Sequence, residues 1–266
     1  MALKEVCRSA CIAWGPPTRG PAHTKCAASQ EEKSTSSGSS LQSHQLYLAL
    51  GTMGLDPHLE LATVDFASSS TALPVVASVS ASSPFQCIAW GSSGQNKLAG
   101  VAGEHGNGVG VGERALGLLA GGMADGDVTL WDAEAILRSG SPSGSELSSF
   151  GSANGTGETS GSAKGLLASV PVHRNQRVHC IHFNPSRPSL LAAGGSSGSV
   201  SILDVENVYD VAVYEPGGEG QGSNSGASGD ECTSLAWNRV VPHVLATAFS
   251  SGTTSVWDLK QRKTAV

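Results

Sequence analysis

Short runs of apolar and small residues recur along this chain, each bounded by Gly, Ser or Pro, and they predict strands rather than helices. The most regular run is Cys11-Ile12-Ala13-Trp14-Gly15. It returns as Cys87-Ile88-Ala89-Trp90-Gly91, as Cys180-Ile181-His182-Phe183-Asn184, and as Ser234-Leu235-Ala236-Trp237-Asn238. Each copy is followed by a second small-residue apolar strand, at 47–51, 117–121, 190–194 and 244–248. A turn containing glycine then leads into a third strand. Asp125-Gly126 precedes 128–132, Ser197-Gly198 precedes 200–204, and Ser251-Gly252 precedes 254–258. In the first copy Gly54 precedes the weaker run 61–65. Segments 75–79, 166–170 and 208–214 supply candidates for a fourth strand.

Spacing fixes these runs as repeats. Ile181 to Leu203 and Leu235 to Trp257 are both 22 residues apart. The corresponding separations in the first two copies are 52 and 43, and the surplus lies in Ser- or Gly-rich stretches between strands, where added length costs little. A repeating unit of four short strands, with Gly in a tight turn and Trp-Asp at the end of the third strand, is the signature of a β-propeller blade. The expected fold is therefore all-β, a WD-repeat propeller with four blades at about 8–80, 84–173, 176–215 and 230–266. Small residues in the second strand let blades approach closely, and the Trp rings fill the space between them. The Asp side chains accept backbone N–H groups. The positions expected to carry this architecture are Trp14, Trp90, Trp131, Asp132, Asp204, Trp237, Trp257 and Asp258.

Three Ser/Gly-rich tracts, about 21–43, 139–165 and 216–230, lack large apolar residues and are expected to be disordered loops. The formal net charge is −6 with 16 Lys and Arg and no basic cluster, which argues against nucleic acid or an anionic membrane as a ligand. No run of about 20 apolar residues spans a bilayer, so no membrane insertion is expected. The charged start, with Lys4, Glu5 and Arg8, does not resemble a secretory signal. Six Cys in 266 residues are read as reduced thiols of a cytosolic protein. In that setting the acceptor Asn154-Gly155-Thr156 would stay unmodified.

The opening octet Leu3-Lys4-Glu5-Val6-Cys7-Arg8-Ser9-Ala10, with Ala13-Trp14, resembles the start of the Sec-thirty-one family, the WD-repeat outer-coat subunit of COPII vesicles. The block from Ser234 through Arg239, Val241 to Ala248 and Ser255 to Lys260 resembles the fourth blade of that family's propeller. Ala120-Gly121-Gly122 and Trp131-Asp132 agree. The resemblance implies a non-catalytic scaffold in endoplasmic reticulum to Golgi transport, part of a hetero-oligomeric coat, peripheral on coated vesicles and exit sites. It implies a small WD-repeat coat partner and other coat subunits as partners; from the charge and the motif contexts, no nucleic acid and no cofactor are expected. It also implies seven blades, of which four are expected here, so the chain is read as a partial version. Functions tied to the parts that follow in family members are not assigned to it. Four blades of seven leave open sheet faces and unpaired edges of the kind that recruit other chains. Expressed alone, the chain is expected to be oligomeric or poorly soluble; a monodisperse monomer in sedimentation would mean that the four units close on themselves.

Competing chemistry finds little support. Gly110-Val111-Gly112-Glu113-Arg114-Ala115 fits a dinucleotide fingerprint, but no strand precedes it and it reads as a loop. His179 and His182 flank Cys180, yet residues three apart in a strand point to opposite faces, so no metal is expected. Cys11, Cys87 and Cys180 share one repeat slot, which indicates a structural position and not a nucleophile. No catalytic residue is assigned. Exposed turn residues such as Arg239 and His243 are candidates for partner contact. The alternative functions are a WD-repeat adaptor of ubiquitin-ligase or chromatin type, and a propeller-based hydrolase.

Overall fold

The computed structural model describes residues 3–16, 18–19, 44–91, 116–139, 164–214, 230–260 and 263–264. The greater part of each Ser/Gly-rich tract lies outside these residues, as do the Gly110–Ala115 motif and Asn154-Gly155-Thr156.

Among the described residues, seventeen strands and one short helix form four antiparallel sheets. The first sheet holds β1 (Ala10–Trp14), β2 (Thr18–Arg19), β3 (His44–Thr52), β4 (His58–Val64) and β5 (Val75–Ser80), ordered β1-β3-β4-β5 with β2 on β3. The second holds β6 (Phe85–Trp90), β7 (Leu118–Met123), β8 (Asp127–Asp132) and β9 (Leu166–Pro171), with α1 (Ala133–Ser139) between β8 and β9. The third is β10 (Val178–Phe183), β11 (Leu190–Gly195), β12 (Val200–Asp204) and β13 (Asn207–Tyr214). The fourth is β14 (Cys232–Trp237), β15 (Val244–Phe249), β16 (Thr254–Asp258) and β17 (Lys263–Thr264). The first strands β1, β6, β10 and β14 adjoin one another in succession, so the sheets stack side by side through this inner row. The fold is all-β, as the sequence predicts. The helix is an addition: Asp132 Oδ1 accepts the Ala135 N–H at 3.0 Å, and Ile136 anchors the turn in the core.

The same backbone bonds close every unit. At one rim, the N–H just beyond the second strand donates to the carbonyl just before the first: Met53 to Ser9, Ala124 to Pro84, Ser196 to Arg177 and Ser250 to Glu231. At the other rim the N–H following the first strand donates to the second: Gly15 to Tyr47, Gly91 to Leu118, Asn184 to Leu190 and Asn238 to Val244. The turns between second and third strands use Gly126, Gly198 and Gly252 at φ of 98°, 73° and 87°, the left-handed region that a Cβ disfavours.

Between sheets, a glycine of one second strand receives a side chain from the next sheet. A Cβ on Gly51 would lie 2.6 Å from Phe85, one on Gly122 would lie 2.7 Å from Val178, and one on Gly194 would lie 2.5 Å from Cys232. The incoming residue stands at a bulge in the first strand, between Phe85 and Cys87, Val178 and Cys180, and Cys232 and Ser234. The extra residue inverts the in–out alternation. Phe85 thereby joins Ile88 and Trp90 against the first sheet, while Cys87 faces the third. Three apolar clusters result, one per sheet–sheet contact, with Phe85, Val178 and Cys232 fully buried.

A Gly51→Ala chain should lose about 1–3 kcal/mol, because the added methyl overpacks Phe85. Gly54→Ala, where the nearest atom to a new Cβ is 4.0 Å away, is the control and should change stability by less than about 0.5 kcal/mol in urea unfolding.

Candidate interaction surface

An Asp at or just past the end of each third strand has the same local job. Asp65 accepts from Ala67 N–H at 2.8 Å, Asp132 from Ala135, Asp204 from Glu206 at 2.9 Å and Asp258 from Lys260 at 3.0 Å. Each carboxylate turns the chain out of the third strand.

The Trp residues differ in their surroundings. Trp90 lies against Gly15 of the first sheet and donates Nε1–H to Leu116 O at 2.6 Å. Phe183 lies against Gly91 in the same way. Trp237 is buried and donates Nε1–H to His182 O at 2.9 Å, and His182 Nδ1 accepts the Trp237 N–H at 3.1 Å. Trp257 donates Nε1–H to Thr247 Oγ1 at 2.8 Å and meets Tyr214 edge-on, with ring centroids 6.4 Å apart. Trp131 is buried with its Nε1 lacking a partner. Gly121 occupies the register slot that Thr247 fills in the fourth sheet, and Phe85 takes the space a side chain there would need. The second sheet thus exchanges a hydrogen bond for aromatic packing.

Trp14 is the exception. It is 56% exposed, and Ile12 beside it is 60% exposed. Both lie on the face of the first sheet that corresponds to the Ile88/Trp90 face of the second, but no sheet covers it among the described residues. The outer part of this face is covered by the amino-terminal segment. Glu5 bridges Ala72, Lys4 Nζ donates to Ser68 O at 2.9 Å, Arg8 pairs with Glu60 at 3.3 Å, and Val6 packs with Leu50, Ala62, Val64 and Leu73. Ile12 and Trp14 remain as an open apolar strip along the inner strand. At the opposite end, the free face of the fourth sheet presents small residues: Ser234 and Ala236 are exposed, and Ala246 and Ala248 are half-buried.

The other candidates separate. His179 Nε2 meets Ser196 Oγ at 2.8 Å and Glu231 at 3.4 Å, away from the Trp237 contact made by His182. Burial, and then the Arg239 charge, lower the His182 pKa. Among the described residues no three His, Cys, Asp or Glu side chains gather as a metal site. Burial raises the Cys11 thiol to about 11 and pushes Cys87 up further, as suits half-buried thiols packed between sheets. Arg239 and Val240 are exposed at a turn, but His243 is not fully so: its Nδ1 is buried without a partner and its Nε2 stands 3.9 Å from Asp258. An open cleft of about 430 Å³ is lined by Arg8, Thr52, Asp56, His58 and Glu60, where Arg8 pairs with Glu60 and His58 Nδ1 lies 3.0 Å from Asp56 O.

Sequence reasoning missed the loop residues that fasten turns. His173 is buried, reaches Ser197 Oγ at 3.2 Å and Ser199 Oγ at 3.3 Å, and has its pKa lowered by that burial. Asp230 accepts from Ser251 N–H at 2.8 Å and Ser251 Oγ–H at 2.8 Å, and these bonds hold its pKa below the usual carboxylate value. His and Asp are different residues at one structural post, so no repeated letter marks it.

Repeated four-stranded sheets joined through an inner row of strands define blades of a WD-repeat β-propeller. No family model matches the chain. It is similar to protein transport protein SEC31 of Dictyostelium discoideum, 29% identical over 240 residues, covering 87% of this chain and 15% of that protein. SEC31 of Mycosarcoma maydis is 31% identical over 191 residues, covering 72% of this chain and 10% of that protein. SEC31 of Pyricularia oryzae is 29% identical over 265 residues, covering 99% and 16%. This propeller segment belongs to the SEC31 family. A solved structure described as "COPII on membranes, outer coat vertex" shares the fold, with a TM-score of 0.56 and 23% identity over 97% of this chain and 49% of that one. The chain spans about a sixth or less of the length of these curated relatives.

Replacing Thr247 by Val should strand the Trp257 indole N–H in the core and cost about 1–3 kcal/mol. Denaturant unfolding measures it; a neutral Thr247→Val would show that the bond carries no net stability.

Proposed function

We propose that this chain is a scaffold segment of the COPII outer coat, acting in endoplasmic reticulum to Golgi transport through protein–protein contacts and without catalysis. The observation that carries the reading is the similarity to SEC31 proteins over almost the whole chain. The residues fit it. Apart from Trp14, the repeated Trp, Cys, Gly and Asp positions are used in packing and turn formation, and Ile12 and Trp14 form an open apolar strip. Surfaces of this kind suit assembly.

The partners in this reading are other coat subunits, among them a small WD-repeat protein, within a hetero-oligomeric coat. The location is the cytoplasmic surface of coated vesicles and exit sites. Attachment would be peripheral, and among the described residues no helix is long and apolar enough to cross a membrane.

A tagged full-length version should co-purify from cytosol with the small WD-repeat coat subunit, and should sediment with synthetic vesicles only when inner-coat subunits are added. Recovery with ubiquitin-ligase or chromatin subunits instead, or no association with the coat subunit, overturns the assignment.

A further inference from the structure

Each sheet–sheet contact brings the same two inner-strand positions together: the repeat-slot Cys of one sheet and the bulge residue of the next. In the first contact Cys11 packs in the cluster that contains Phe85. In the second the Cys87 thiol donates to Val178 O at 3.4 Å. In the third the Cys180 thiol reaches Cys232 O at 3.6 Å, and the bulge residue is itself a cysteine. The two sulfurs stand 3.8 Å apart. The β14 bulge is what makes this meeting possible, since regular alternation would put Cys232 on the same side as the exposed Ser234. Gly194 leaves the space both thiols occupy, because a Cβ there would lie 2.5 Å from one sulfur and 3.0 Å from the other.

We propose that Cys180 and Cys232 are a modification site, a thiol pair that peroxide converts into a reversible disulfide tying the third sheet to the fourth. A disulfide needs sulfurs at about 2.05 Å, so the pair must close by less than 2 Å, within reach of side-chain rotation in the room that Gly194 leaves. Cys180 is partly exposed and Cys232 is fully buried, so Cys180 is the sulfur that meets the oxidant. Its sulfur attacks one peroxide oxygen. The O–O bond breaks, the Cys180 proton leaves with the departing oxygen as water, and a sulfenic acid remains. The Cys232 sulfur then attacks the sulfenic sulfur. The S–O bond breaks, and the hydroxyl leaves as a second water with the Cys232 proton. Two thiols and one peroxide thus give one disulfide and two waters; both sulfurs are oxidised and the peroxide oxygens reduced.

The contact with the Cys232 thiol, and then burial, push the Cys180 pKa up, so its thiolate fraction is small, while the same contact lowers the Cys232 pKa, which suits Cys232 to the second attack on the sulfenic sulfur. Oxidation is accordingly slower here than at the exposed Cys7, and it accelerates as pH rises.

The test treats the full chain with hydrogen peroxide, blocks remaining thiols with N-ethylmaleimide, and maps unreduced peptides by mass spectrometry. A Cys180–Cys232 linked peptide is expected, removed by dithiothreitol, faster to form at pH 8.5 than at 7, and absent from Cys180→Ser and Cys232→Ser chains. Cys87→Ala should still form it. The proposal is overturned if Cys7 is oxidised while Cys180 and Cys232 both still carry maleimide, or if either pairs with another cysteine instead. The mapping is read in the unmodified sequence, so it stands even where a variant fails to fold.

Discussion

Close approach of adjacent inner strands is the constraint on which the rest of this structure depends. A second-strand glycine leaves a vacancy, and a bulged first strand turns a side chain from the next sheet into it. Remove the bulge, and Phe85, Val178 and Cys232 fall on the wrong face. Add a side chain at Gly51, Gly122 or Gly194, and it collides with Phe85, Val178 or Cys232. Everything else on the interface, from the ring of Trp90 over Gly15 to the thiol bonds of Cys87 and Cys180, is set by that spacing.

Strands with repeating composition were readable because four copies of one pattern average away local ambiguity. Cys-Ile-Ala-Trp at 11 and 87 made the two later, looser copies recognisable, and the turn glycines marked where the chain reverses. What could not be read was anything specified by contact across sheets. The bulge is invisible in the letters, since the skipped residues Gln86, His179 and Thr233 have in common only a polar side chain, which any exposed strand position could carry. The fastening roles of His173 and Asp230 were hidden for the same reason. Nor does Trp14 look different from Trp90 in sequence; its exposure depends on what lies beside its sheet. The helix after Asp132 was legible only in hindsight, from an Asp that caps it and an Ile that seats it.

A scaffold reading also fits the structural use of several chemically suggestive residues. The Cys87 thiol, the His182 imidazole and the Asp258 carboxylate each bond a neighbour that builds the sheets, and a group committed in this way is a poor nucleophile or general base. The trade within the second sheet makes the same point. Trp131 gives up a partner for its indole nitrogen so that Phe85 can lie over Gly121, which places shape above hydrogen bonding at that contact.

The two rims of the stack are not equivalent. Turns from second to third strands are short and pinned by the bonds from Met53, Ala124, Ser196 and Ser250. Three of the four long intervals in the chain, after Arg19, Trp90 and Ser139, instead leave from the opposite rim. Inserted length is thus concentrated at one rim, with only the interval after Tyr214 at the other, so the bonded rim is the side that varies less from unit to unit.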